Sequence, residues 1–96
     1  MDFSPELRED VLAGDITVSV RLWTRPRVKT GGRYAVGAGF IEVDSIDLIP
    51  FADVTDDDVQ RAGEPDRETL RRRAAHAGPI DDGTMVYRVE FHRVLS

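Results

Sequence analysis

Eight residues, Ile16 to Trp23, alternate strictly: Ile16, Val18, Val20 and Leu22 are aliphatic, with Thr17, Ser19, Arg21 and Trp23 between them. A period of two marks an extended strand with one buried face, so the chain must build a sheet and a core to receive these aliphatics. The opposite face offers two hydroxyls, a guanidinium and an indole, groups that suit an anionic ligand beside a flat aromatic able to stack on a base. An ordinary wet strand face, with Trp23 closing the edge of the core, accounts for the same pattern.

Charge adds weight to the first account. The chain carries a formal net charge of −5, yet no Asp or Glu lies between Ile16 and Ile41, where Arg21, Arg25, Arg27, Lys29 and Arg33 fall. A basic face on an acidic body suits an anionic partner, and guanidinium groups bind phosphate in a planar, bidentate way. A solvated loop whose charges pair with the acidic remainder is the plainer alternative. Arg outnumbers Lys twelve to one, so Arg identity alone carries little.

At 96 residues the chain reads as a single domain spanning 1–96, with a core large enough to fold alone. It has no twenty-residue apolar run and an acidic, amphipathic start, so neither a membrane span nor a secretory signal is expected. A cytoplasmic location follows. With no cysteine, and with His76 and His92 in different elements, no metal and no cofactor are expected.

Turn and cap signals order the remaining elements. Ser4-Pro5 opens a helix that Gly14 stops; Lys29-Thr30-Gly31-Gly32 turns into a strand at Arg33 to Val36; and Gly39 to Phe51 alternates with a slip at Ser45 that suggests a bulge. Thr55 with Asp58 resembles a capping box, which explains the Asp56 to Asp58 run without a metal. A second helix is expected from Asp66 through Ala77. Its Arg71, Arg72 and Arg73 lie about 100° apart in turn, so they cannot form one patch. The closing strand, Thr84 to Leu95, sets Met85, Tyr87, Val89, Phe91 and Leu95 against Val86, Arg88, Glu90 and His92.

This order, together with the run Ala13-Gly14-Asp15-Ile16-Thr17-Val18-Ser19-Val20-Arg21, resembles the ASCH domain family of the PUA-like superfamily, in particular its small, stand-alone, bacterial-type members. The family motif is approximately GxKTxTxR. Gly14, Thr17 and Arg21 match it, and Ser19 takes the place of the second Thr. Lys29 to Gly37, Ile46 to Gly63 and Met85 to Leu95 are similar to the family's later segments. The resemblance implies an α+β fold, a small PUA-like β-barrel flanked by short helices, with a cleft beside the motif strand for RNA or a nucleotide.

One branch of the family hydrolyses N4-acetylcytidine with the motif Lys, the second Thr and a Glu. Those positions fall here on Ile16, Ser19 and, near the expected acid, Ala62, with Glu64 two residues on. Only the hydroxyl survives, and an unassisted Ser is a weak nucleophile. The expectation is therefore a binding domain without catalytic residues, in which Arg21 and Lys29 meet phosphate, Thr17 and Ser19 donate or accept hydrogen bonds, Trp23 stacks, and Arg25, Arg27 and Arg33 extend the basic face. The alternatives are a hydrolase acting on RNA or a modified nucleoside, with Lys29, Arg21 and Tyr34 as candidate ribonuclease groups, and a protein-interaction module. A monomer or weak dimer is expected.

Overall fold

The computed structural model describes residues 3–75 and 78–94. Its elements are α1 (Pro5–Ala13), β1 (Val18–Arg21), β2 (Arg33–Val36), β3 (Gly39–Pro50), a 3-10 turn (Phe51–Asp53), α2 (Asp56–Arg61), α3 (Arg67–Ala74) and β4 (Met85–Val94). His76, Ala77 and Leu95, assigned from the sequence to the second helix and the closing strand, lie outside the described residues.

The strands form one antiparallel sheet in the order β1-β4-β3-β2. The expected barrel is not closed. β1 and β2 are four-residue edge strands at opposite sides of the sheet, and helices, not each other, lie beside them. The α+β class stands, as an open sheet between two layers. No helix among the described residues is long and apolar enough to cross a membrane.

Each face buries its own cluster. Val18, Val20 and Val86 pack with Phe51, Val59, Leu70 and Ala74 under α2 and α3. Ile41, Val43, Val89 and Phe91 pack with Phe3, Val11 and Val28 under α1 and the β1–β2 connection. Because β1 and β2 sit at opposite edges, that connection must cross the second face, and the burial of Val28 pins it there.

This two-sided burial revises the strand read from the sequence. Ile16 does not share a face with Val18 and Val20; it belongs to the α1-side cluster. The amides of Ile16 and Thr17 donate to Asp10 O and Arg61 O at 3.3 and 2.9 Å, which turns the chain out of the pleat before the ladder begins. Nor is the polar face of β1 wet, since Ser19 is buried.

Other local readings hold. The slip at Ser45 is a break in register between Val43 and Ser45 on β3. Thr55 and Asp58 make a full capping box on α2, with bonds of 3.0 and 3.1 Å. The Arg triplet splits as helical geometry requires. Arg71 lies 4.7 Å from the Phe51 ring centroid and bonds Ile80 O at 2.8 Å, whereas Arg73 turns to Glu64.

Candidate functional site

The unpaired edge of β1 opens on a pocket of about 220 Å³. All four β1 residues form its back wall. Phe3, Ser4 and Leu7 from the start of α1 close one side, and Leu70, Arg73 and Ala74 of α3, with Ala62 and Glu64 ahead of that helix, close the other. The site exists because β1 is an edge strand with a helix on each side. Its walls are mainly apolar, with a few convergent polar groups, as small-molecule sites commonly are.

Two of those groups come from the motif strand. Arg21 Nε donates to Ser19 Oγ at 2.7 Å, and the guanidinium carbon stands 5.1 Å from the Phe3 ring centroid. The contact with Phe3 fixes the guanidinium as a cation over an aromatic face.

The others come from remote segments. Glu64, whose side chain is 2 % exposed, pairs with Arg73 Nε at 2.7 Å, and Arg73 Nη1 reaches Glu6 at 3.2 Å. A buried carboxylate needs such a partner, and Arg73 supplies it to Glu64. Glu6 is held below the ordinary carboxyl value by its own backbone N–H and by Arg73, with Ser4 a lesser contributor. Ser4 Oγ is sealed from water and has no partner of ordinary hydrogen-bond geometry, even though Ser4 stands at the N-cap of α1.

The remaining candidates from the sequence lie elsewhere. Thr17 Oγ1 accepts from Arg61 Nε at 3.0 Å on the α2 side of the sheet. Trp23 is half-buried against Tyr87, with ring centroids 6.1 Å apart and planes at 39°. Arg25, Arg27 and Lys29 are exposed along the crossing connection. Arg33 pairs with Glu42 across the β2–β3 ladder at 3.0 Å. Sequence reasoning missed Phe3, Ser4 and Arg73. Glu64 carried a faint signal in its nearness to the family's acid, whereas Ile16, aligned with the family's Lys, lies in the α1-side core and does not line the pocket.

A second polar group forms on the sheet away from β1. Glu42 stands opposite His92 in the β3–β4 register, and the bulge brings Asp44 alongside, so one ligand atom from each lies within 4.8 Å of the others. His92 Nδ1 contacts Asp44 at 2.8 Å and its Nε2 faces Glu42 at 3.8 Å. With the Arg33 cation already on Glu42, this is an exposed charge network.

No protein-family model matches the chain, and no curated protein does. Among solved structures, an ASCH domain from Lactobacillus crispatus JV V101 superposes with a TM-score of 0.75 at 17 % identity, covering 92 % of this chain and 70 % of that one. The chain therefore has the ASCH-domain fold.

Proposed function

We propose that this domain binds RNA by taking one unpaired nucleotide into the pocket at the edge of β1, while the flanking backbone runs along the basic connection. The observation that carries the reading is that Ser19 and Arg21 line an apolar-walled pocket at the strand from which the exposed Arg25, Arg27 and Lys29 continue. Phe3 and Leu70 supply flat and aliphatic walls for a base, Ser19 and Arg21 supply polar contacts, and the loop cations meet phosphates. Trp23 beside Tyr87 offers a further stacking surface along the path. Arg33 contributes less, because Glu42 already neutralises it, and Thr17 contributes through Arg61. The pocket is complete within one chain, so a monomer suffices.

Titration of a short unstructured oligoribonucleotide tests this. Amide resonances of Ser19, Arg21 and Glu64 should shift, and Arg21→Ala should weaken binding about tenfold, the loss expected for one charge-assisted contact. Unshifted pocket resonances under saturating RNA would overturn the reading.

A hydrolase ranks second because Ser19 and Glu64 line the same pocket. Glu64 is committed to Arg73, and no Lys stands near the hydroxyl. The ribonuclease candidates are divided by the sheet, with Arg21 on one edge strand and Tyr34 on the other. Assays with N4-acetylcytidine should therefore show no turnover above background; turnover abolished by Ser19→Ala would promote this reading over the binding one.

A further inference from the structure

The back wall of the pocket is main chain as well as side chain, and its hydrogen-bonding groups have a direction. In the β1–β4 ladder Val18 pairs with Glu90, Ser19 with Val89, Val20 with Arg88 and Arg21 with Tyr87. Phe91 N–H donates to Thr17 O at 2.9 Å, which sets the phase of the ladder. In an antiparallel pair, alternate residues turn both their N–H and their C=O to the partner strand. Ser19 and Arg21 therefore face β4, as does the Thr17 carbonyl, while the Thr17 amide goes to Arg61 O. Val18 and Val20 turn theirs outward, along the unpaired edge and into the pocket. Among the described residues no neighbouring element makes a hydrogen bond to these groups.

We infer that the Val18 and Val20 main-chain groups read the Watson–Crick edge of an unpaired nucleobase held in the plane of the sheet. This rests on the proposed nucleotide pocket and adds how it recognises its ligand. One residue at an open edge presents a donor beside an acceptor, and each RNA base carries the complementary neighbours on its Watson–Crick edge: uracil N3–H with O4, guanine N1–H with O6, cytosine N4–H with N3, adenine N6–H with N1. A flat ring in the sheet plane has Phe3 on one side and Leu70 and Ala74 on the other, so its faces are desolvated while its edge meets polar main chain. Arg73 is held by Glu64 and Glu6, which keeps it from offering an open cation to a phosphate and leaves phosphates to the loop. An added peptide strand fits less well. Only two residues of β1 face outward, and α1 and α3 close both sides, where alternate side chains of a strand need room. In a duplex the Watson–Crick edge is occupied, so this mode requires a single-stranded segment.

The test uses the wild-type chain and alters only the ligand. The four nucleoside 5′-monophosphates are titrated, followed by the Watson–Crick N-methylated analogue of each one that binds, for example 3-methyluridine or 1-methylguanosine monophosphate. The Val18 and Val20 amide protons should move downfield with the parent nucleotide, and methylation should weaken binding at least about tenfold, because it removes a donor or acceptor and leaves a main-chain group unpaired. A duplex of the same sequence should likewise bind at least about tenfold more weakly than the single strand. Equal affinity for the methylated analogue, with pocket resonances still shifting, overturns the main-chain readout and leaves the nucleotide pocket standing. No binding of any nucleotide or oligonucleotide overturns both. Saturable shifts of the same two amides by a short extended peptide, with none from nucleotides, would assign the edge to strand addition instead.

Discussion

Arg88 organises a partly buried charged corner beside α2. Its Nε bonds Asp58 at 2.8 Å and its Nη2 bonds Glu90 at 2.9 Å, while Arg61 adds a second cation to Glu90 at 3.1 Å. Burial opposes ionisation of Asp58, but the Thr55 N–H and the Arg88 guanidinium outweigh it and hold the carboxyl below its ordinary value. Glu90 is held low mainly by its hydrogen bond from Arg88, with Arg61 adding to it. A depressed native value means that the stabilisation is complete above the unfolded value and is lost as pH falls through the native one. Urea unfolding should therefore show stability falling below about pH 4. Asp58→Asn should cost about 1–3 kcal/mol at pH 7 and flatten that acid limb; an unchanged limb would place the titration elsewhere. Arg21 belongs at this scale too. Because it lies over Phe3 and bonds buried Ser19, Arg21→Ala should cost about 1–2 kcal/mol, more than a freely solvated side chain would.

Among the elements, the turn after α2 and the segment leading into β1 meet at a close approach, beside the bonds between Arg61 and Thr17. Gly63 follows α2 with φ of +76°, and a Cβ built there would stand 2.5 Å from Ile16 Cδ1. Left-handed backbone and steric conflict act together at this position. Gly63→Ala should therefore lower stability by about 1–3 kcal/mol, read as a shift in urea midpoint, and Ile16→Val should recover part of it by removing the offending methyl. No recovery in the double variant would locate the cost in backbone conformation alone. The same approach ties the segment leading into β1 to the corner bearing Glu64, so the element that presents Ser19 and the element that presents the acid are held in register.

At the scale of the whole molecule, the chain is acidic while its crossing connection is basic. Asp56 lies near Arg67 at 3.8 Å and Asp57 near Arg61 at 3.8 Å, so the acidic run in the first turn of α2 is engaged within the chain. Arg25, Arg27 and Lys29 remain exposed on the α1 side of the sheet. With about three to five phosphate contacts, log affinity for single-stranded RNA should fall against log salt with a slope of about −2 to −3.5. Arg25→Glu/Arg27→Glu should flatten that slope by at least about 1.4, from the loss of two contacts, without affecting the mononucleotide. An unchanged slope would take the loop out of the interface.

Sequence alone determined whatever depends on neighbours along the chain: the helix starts, the stop of α1 at Gly14, the capping box at Thr55 and Asp58, the bulge at Ser45, the division of the Arg triplet, and the motif from Gly14 to Arg21 that pointed to the ASCH fold; the helix expected through Ala77 ends at Ala74. These follow from dihedral preferences and periodicity, which act over a few residues. It could not decide that β1 lies at an edge, that the sheet stays open, or that Ile16 leaves the face of Val18 and Val20, because a period of two gives alternation without saying what covers each side. Nor could it bring Phe3, Ser4, Glu64 and Arg73 to Ser19 and Arg21. Glu64 and Arg73 are polar residues in helical surroundings until the chain closes on itself, and only the burial of Glu64 makes an ion pair obligatory. The pocket belongs to the tertiary structure because its walls come from three separate segments, and its main-chain face exists because, among the described residues, no fifth strand takes that edge.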